Sequence, residues 1–139
     1  MNNIQLSYNI ERRDFSRAGE ASSNIKKALR QLGVNSATIR RVAVATYEAE
    51  MNIIIHSEGG TIGVTVDVDK IRIDAKDTGP GIENIEMAMK EGYSTATSEV
   101  RELGFGAGMG LPNMKRCADE FSIESSKGNP TKVSIIIYQ

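Results

Sequence analysis

Apolar and polar residues change their rhythm several times along the chain. Every second residue from Ile4 to Ile10 is apolar, which predicts a half-buried β-strand. From Asp14 onward the apolar residues recur at steps of three and four, which predicts an amphipathic helix that ends at Gly33. The first part of the chain therefore predicts a strand followed by a helix.

A second predicted helix begins at Asn35 or Ser36, either of which can cap its first turn, and runs to about His56. Glu58-Gly59-Gly60 then breaks the helical pattern. Two alternating runs, 62–68 and 71–75, follow on either side of a short acidic turn. Such a pair is typical of an antiparallel hairpin that packs one face on a core.

The second half of the chain is richer in loop-forming residues. A Gly-Pro-Gly segment at 79–81 predicts a loop, and 85–90 a short helix. The stretch from 92 to 109 is rich in Ser, Thr and Gly and predicts a lid loop, with a disordered stretch as the alternative. The remaining predicted elements are a short helix at 111–118 and closing strands at 121–125 and 132–138.

This order of elements predicts an α+β fold. We expect a two-layer α/β sandwich, with helices on one face of a mixed, mostly antiparallel sheet. The 139 residues are enough for one domain over 1–139 and too few for two.

Composition narrows the class of protein. A hydrophobic content of 40%, a charged content of 25% and a net charge of -1 are typical of a globular domain and argue against non-specific nucleic-acid binding. No apolar run approaches the roughly 20 residues that cross a bilayer, and the polar N-terminus lacks the pattern of a signal peptide. The single cysteine, Cys117, excludes an internal disulfide. We therefore expect a cytoplasmic protein.

Glycines form the first candidate site. Gly104, Gly106, Gly108 and Gly110 occupy alternate positions directly before the helix predicted at Leu111. Glycines let backbone amides approach a ligand closely, and a helix start favours anions, so a phosphate chain is the natural ligand. The spacing fits neither the P-loop nor the dinucleotide fingerprint, and a loop without any ligand is the alternative.

A second candidate lies directly after a predicted strand, at Asp77-Thr78-Gly79-Pro80-Gly81. The carboxylate and the open backbone offer a place for a flat ring, and the exocyclic amine of adenine donates to such a carboxylate. The alternative is a simple turn in which Asp77 caps the following loop.

A third candidate is a helical row. Glu48, Asn52 and His56 are four residues apart and share one helix face. An amide oxygen suits Mg²⁺, and a carboxylate one turn away can take a proton from an attacking hydroxyl. An ordinary polar stripe is the alternative, and Glu50 is expected to point elsewhere, into solvent.

Taken in chain order, the three segments resemble the motifs of the GHKL ATPase superfamily. Glu48 to Asn52 is similar to its N box, 77–81 to its first glycine box and 104–111 to its second. Within it, the small size and the segments at 91–95, 108–112 and 119–122 resemble the anti-sigma-factor serine/threonine kinases, closest to the RsbT switch-kinase subgroup of the stressosome.

The resemblance implies a Bergerat-type ATP-binding fold that uses ATP and Mg²⁺. By this resemblance Glu48 would be the general base, Asn52 would hold Mg²⁺ and Asp77 would accept a hydrogen bond from the adenine amine. The other residues that it assigns to the nucleotide are Gly79, Gly81, Gly104, Gly106, Gly108, Gly110, Leu111 and Thr131. Gly128-Asn129-Pro130-Thr131 departs from the family's tighter Gly-x-Gly-Thr.

The resemblance also implies partners. A kinase of this kind phosphorylates a Ser or Thr of a STAS-domain antagonist or scaffold protein in a partner-switching module. The alternative is a nucleotide-latched regulatory protein that sequesters a sigma factor or activates a PP2C-type phosphatase, and a third is a degenerate domain that no longer binds ATP. No nucleic-acid or membrane partner is expected, and the first strand suits either a covered edge or a homodimer.

Overall fold

Five strands and three α-helices form the part of the chain that the structure, a computed structural model, describes: residues 3–11, 15–79, 89, 110–125, 128 and 130–139. In chain order the elements are β1 (Ile4–Glu11), a 3₁₀ turn (Phe15–Arg17), α1 (Glu20–Gln31), α2 (Ser36–His56), β2 (Gly59–Val66), β3 (Lys70–Asp77), α3 (Gly110–Cys117), β4 (Glu120–Glu124) and β5 (Lys132–Tyr138).

The strands form one sheet in the order β1-β2-β3-β5-β4, and each neighbouring pair is antiparallel. The predicted hairpin is confirmed as β2 and β3, which pair from Gly60 with Asp77 to Val66 with Ile71. The expected mixed sheet is wrong in one respect, because none of the described strands pairs in parallel. β1 and β4 form the two edges of the sheet.

The two faces of the sheet differ sharply in polarity. On the outer face, Asp74 accepts hydrogen bonds from Arg72 (3.0 Å) and Ser134 (2.8 Å). The inner face is apolar, and its buried residues on the three central strands are Ile62, Val64, Val66, Ile71, Ile73, Ala75, Val133, Ile135 and Ile137. Because α1, α2 and α3 pack on this apolar face, the predicted two-layer sandwich is confirmed.

Helix α2 has the bounds that the sequence predicts. Asn35 caps its first turn, since the side-chain oxygen accepts a hydrogen bond from the amide of Ala37 at 2.9 Å. The helix ends at His56, and the backbone N–H of Ser57 still donates to the carbonyl of Ile53. No helix among the described residues is long and apolar enough to span a membrane.

Helix α1 begins later than the prediction from Asp14. A 3₁₀ turn comes first, and Gly19 then takes a left-handed conformation with φ 89° before the helix starts at Glu20. The N-cap residue, Gly19, has no side chain with which to cap the helix. The free amides of the first turn must therefore find an acceptor elsewhere in the chain.

That acceptor is Glu50 of α2, which corrects the expectation that this residue is solvated. Its side chain is only 2% exposed, and its two carboxylate oxygens accept hydrogen bonds from the amides of Gly19 (3.1 Å), Ala21 (3.2 Å) and Ser22 (3.2 Å). A negative charge at a helix start is also favoured by the helix dipole. Glu50 thus fixes the start of α1 against the middle of α2.

A close approach of two strands shapes the far end of the hairpin. A Cβ on Gly60 would lie 2.2 Å from the carbonyl oxygen of Lys76 and 2.9 Å from the Cα of Asp77. Only glycine therefore lets the start of β2 lie this close to the end of β3. Gly63, on the same strand, has its nearest such contacts at 3.9 Å.

We expect Glu50→Ala to lower the free energy of unfolding by at least about 2 kcal/mol, because three amides lose their acceptor in a buried position. Urea denaturation measures this. Glu20→Ala, which removes an exposed carboxylate from the same helix turn, is the matched control and should change stability by a few tenths of a kcal/mol. A Glu50→Ala protein as stable as wild type would contradict the capping role.

We expect Gly60→Ala to destabilise the fold by about 1–3 kcal/mol, because its Cβ would overlap the backbone of β3. Gly63→Ala makes the same chemical change where there is room, and should be neutral or slightly stabilising, because alanine has less conformational freedom to lose on folding. Thermal melting of the two variants side by side checks the difference, and equal effects would show that the close approach is not what matters.

Candidate functional site

The predicted row on α2 is present as a half-buried face. Glu48 and Asn52 lie one turn apart on the helix and are both partly exposed. Burial raises the pKa of the Glu48 carboxyl above its ordinary value, and a hydrogen bond with the side chain of Asn113 offsets part of the rise. The carboxylate is therefore a stronger base than an exposed glutamate.

Asn52 has an uncommitted side chain. Among the residues that the structure describes, its amide makes no hydrogen bond. Because the side chain is partly exposed and its oxygen has no donor among the described residues, that oxygen can accept a ligand. The side chain of His56, the third member of the row, lies outside the described part.

Asp77 stands at the end of β3, on the inner face of the sheet, because it follows the buried residues Ile73 and Ala75 at steps of two. One carboxylate oxygen, Oδ1, accepts hydrogen bonds from the amides of Gly79 (3.0 Å) and Thr131 (2.9 Å). The other oxygen, Oδ2, has no donor among the described residues. The alternative role for Asp77, a cap on the following loop, is thus present, but the cap uses only one of the two carboxylate oxygens.

The structure places Thr131 beside Asp77 although the sequence before it departs from the family pattern. The amide of Asp77 donates to the carbonyl of Thr131 at 3.0 Å, and the amide of Thr131 donates back to the Asp77 side chain. The hydroxyl groups of Thr131 and Ser125 lie 2.7 Å apart. The end of β3 therefore forms one hydrogen-bonded corner with Asp77, Gly79 and Thr131.

A short chain of hydrogen bonds links this corner to the end of α2. The Ser57 hydroxyl donates to the carbonyl of Ile53 (2.7 Å) and accepts from the amide of Gly59 (3.0 Å). The carbonyl of Gly59 in turn accepts from the amide and the hydroxyl of Thr78 (3.0 and 3.2 Å). The helix that carries Glu48 is thereby joined to the residue that follows Asp77.

Several predicted site residues lie outside the described residues. Gly110 is described, as the first residue of α3, and Leu111 after it is 7% exposed and packs in the core. The residues and segments outside are Gly81, Gly104, Gly106, Gly108, the lid predicted at 92–109 and, apart from residue 89, the helix predicted at 85–90.

The oxygen atoms of Asn52 and Asp77 fit the expected ligands, Mg²⁺ and adenine. Mg²⁺ takes few ligands from the protein and completes its shell with water and phosphate oxygens, so a single free amide oxygen at Asn52 suffices. The free Oδ2 of Asp77 is an acceptor on the inner face, which suits the exocyclic amine of adenine. Both groups lie on the helix side of the sheet.

Sequence reasoning missed three residues that shape the site. Asn113 contacts the Glu48 carboxylate, Gly60 permits the strand approach at Asp77, and Ser57 ties the end of α2 to β2. Only Gly60 carried a signal, as part of the Gly-Gly pair that ends the helical pattern. The other two act through contacts that no local motif encodes.

Comparison with known proteins agrees with this arrangement. Residues 13–137 match the family of the histidine kinase-like ATPase domain. The chain is 33% identical over 127 residues to serine/threonine-protein kinase RsbT of Bacillus subtilis, which covers 88% of this chain and 87% of RsbT. It is 35% identical over 113 residues to the anti-sigma F factor of a Thermoanaerobacter species, which covers 78% and 76% of the two chains.

A solved structure confirms the fold. A chain in the crystal structure of the SiaB–SiaC complex from Pseudomonas aeruginosa superimposes with a TM-score of 0.64 and covers 95% of this chain and 88% of its own length, at 13% identity. At that identity the likeness concerns the fold alone. Since the family match spans nearly the whole sequence, the chain belongs to the histidine kinase-like ATPase family, where it is similar to RsbT and to the anti-sigma F factors.

Proposed function

We propose that the protein is an ATP- and Mg²⁺-dependent serine/threonine kinase that phosphorylates a STAS-domain antagonist in a bacterial partner-switching module of the stressosome type. The observation that carries this proposal is a set of polar groups on the helix side of the sheet. On α2 the half-buried Glu48, with its raised pKa, stands one turn from Asn52, and at the end of β3 one oxygen of Asp77 has no donor among the described residues. The similarity to RsbT, which is named a kinase, supports it.

In this proposal the nucleotide base lies at the corner formed by Asp77, Gly79 and Thr131. Oδ2 of Asp77 accepts the hydrogen bond from the adenine amine, while Oδ1 keeps the corner in shape through the two amides. The glycines before α3 hold the phosphates with their backbone amides. Guanine has a carbonyl oxygen at the matching ring position, which Asp77 would repel, so the site should prefer ATP to GTP.

Phosphoryl transfer then needs a base and charge neutralisation. Glu48 takes the proton as the acceptor hydroxyl forms its bond to the γ-phosphorus, and the bond from that phosphorus to the oxygen of ADP breaks. Asn52 would hold Mg²⁺, which when bound neutralises the phosphate oxygens. The acceptor hydroxyl comes from another protein, as the resemblance to the anti-sigma-factor kinases implies, and we place this reaction in the cytoplasm.

The second candidate function is a nucleotide-latched binding protein that sequesters a sigma factor or activates a PP2C-type phosphatase. The similarity to proteins named anti-sigma F factors favours it. The two functions can coexist in one protein. A partner complex that requires nucleotide but persists in Glu48→Gln would favour the latch over catalysis.

We expect Asp77→Asn to weaken ATP binding about tenfold or more, because the amide keeps an acceptor for Gly79 and Thr131 but turns its NH₂ donor toward the adenine amine. Calorimetric titration with Mg-ATP measures the change. Asp74→Asn, on the outer face of the same strand, is the matched control and should bind ATP as wild type does. Equal binding by all three proteins would place the adenine elsewhere.

We expect Glu48→Gln to lower the rate of phosphoryl transfer by roughly 10²–10⁴-fold with little change in ATP binding, because the base is lost but the nucleotide contacts remain. The assay uses labelled ATP, Mg²⁺ and each STAS-domain protein of the host in turn. Glu124→Gln, an exposed carboxylate on β4, serves as the control. Transfer at the wild-type rate by Glu48→Gln would remove Glu48 as the base.

The pH profile gives this test a second arm. Since burial raises the pKa of Glu48, the carboxyl stays protonated, and the base inactive, to a higher pH than an exposed glutamate would. The acid limb of the kcat/KM profile should therefore have its midpoint at a pH above the ordinary pKa of glutamate, and activity should rise as the pH increases through that midpoint. A limb at or below that value would contradict the assignment.

A further inference from the structure

Helix α3 lies antiparallel to α2 and is tied to it near both of its ends. Arg41, in the second turn of α2, donates to the carbonyl of Cys117 at the end of α3 (3.0 Å) and pairs with Asp119 just beyond it (3.2 Å). Two turns further along α2, Glu48 meets Asn113 in the first turn of α3. The two ties lie seven residues apart on one stripe of α2.

The tie between Arg41 and Asp119 is also anchored to the sheet. Asp119 accepts a hydrogen bond from the amide of Tyr138 at 2.7 Å, and its own amide donates to the carbonyl of Ile136 at 2.9 Å. Arg41 therefore connects α2, the end of α3 and the end of β5. With one end of α3 fixed in this way, the position of Asn113 relative to Glu48 is also fixed.

The orientation of the Asn113 amide follows from its second partner. Its oxygen Oδ1 accepts a hydrogen bond from the guanidinium of Arg116, one turn along α3. An ionised carboxylate can only accept, so the NH₂ group of Asn113 is the donor to Glu48. Arg116, Asn113 and Glu48 thus form a directed row of hydrogen bonds that ends on the proposed base.

Among the described residues, the charged and titratable groups around this row lie on the same two helices, with Asp119 directly after α3. Arg41 and Glu48 lie on α2, and Arg116 and Cys117 on α3. Burial raises the pKa of the Cys117 thiol, Arg41 and Arg116 lower it, and Glu48 raises it. Asn113 is the neutral donor among them.

We propose that Asn113 is a positioning residue that holds the Glu48 carboxylate in place for proton abstraction, with its own amide oriented by Arg116. This inference rests on the proposed role of Glu48 as the base. Asn113 lies in the first turn of α3, which begins at Gly110.

The experiment compares Asn113→Ala, Asn113→Asp and Arg116→Ala with Lys115→Ala, an exposed neighbour on the same helix, as the control. The Glu48 carboxyl is titrated by ¹³C NMR in the nucleotide-free protein, and phosphoryl transfer and ATP binding are measured under the conditions used for Glu48→Gln. Asn113→Asp has nearly the same shape as the wild-type residue, so it keeps the test valid if Asn113→Ala folds poorly.

We expect Asn113→Ala to raise the pKa of Glu48, because the donor that stabilises the ionised form is lost, and Asn113→Asp to raise it further, because a like charge replaces the donor. Transfer should fall roughly ten- to hundredfold with ATP binding within twofold, since the loss of orientation outweighs the gain in basicity. Arg116→Ala should act in the same direction and less strongly, and Lys115→Ala should change neither quantity.

Three results would overturn the inference: an unchanged Glu48 titration in both Asn113 variants, a wild-type rate of transfer, or weaker ATP binding with transfer at saturating ATP unchanged. Failure of the proposed function looks different. If the wild-type protein transfers no phosphate while the Glu48 titration still follows Asn113, the contact stands and the kinase assignment is what fails.

Discussion

The fold depends on a buried carboxylate in the middle of its central helix. Glu50 satisfies three amides at the start of α1, a helix that has no side-chain cap of its own. A buried charge is costly, so burial raises the pKa of the Glu50 carboxyl, and the hydrogen bonds from the three amides offset part of that rise. The rotation of α2 about its axis is thereby fixed, because Glu50 must face α1.

The candidate site follows from that constraint. With Glu50 directed at α1, Glu48 and Asn52 occupy a different face of α2, two residues before and after it. There Glu48 meets α3, and Asn52 makes no hydrogen bond to any described residue. The Ser57 hydrogen bonds and the approach at Gly60 then bring the end of β3 close to the end of the same helix. Helix α2 therefore fixes the start of α1 through the Glu50 carboxylate and presents the Glu48 carboxylate at the candidate site.

Local patterns predicted the elements well and the long-range contacts poorly. The bounds of α2 follow from the Asn35 cap and the break at Gly59, and the hairpin follows from its alternation, since these signals lie within a few residues of their effect. The start of α1 was wrong because its cap comes from Glu50, about 30 residues away in sequence. Asn113 was missed for the same reason: its partner lies on another helix. The roles carried over from the resemblance for the glycines at 104–108 stay predictions.

The most direct test of the account is a crystal structure with Mg²⁺ and a non-hydrolysable ATP analogue. We predict that the metal lies on the side-chain oxygen of Asn52, that the adenine amine donates to the free oxygen of Asp77, and that Glu48 faces the γ-phosphate across open space for an acceptor hydroxyl. A nucleotide bound away from this face, or a helical row turned from the phosphates, would contradict the account.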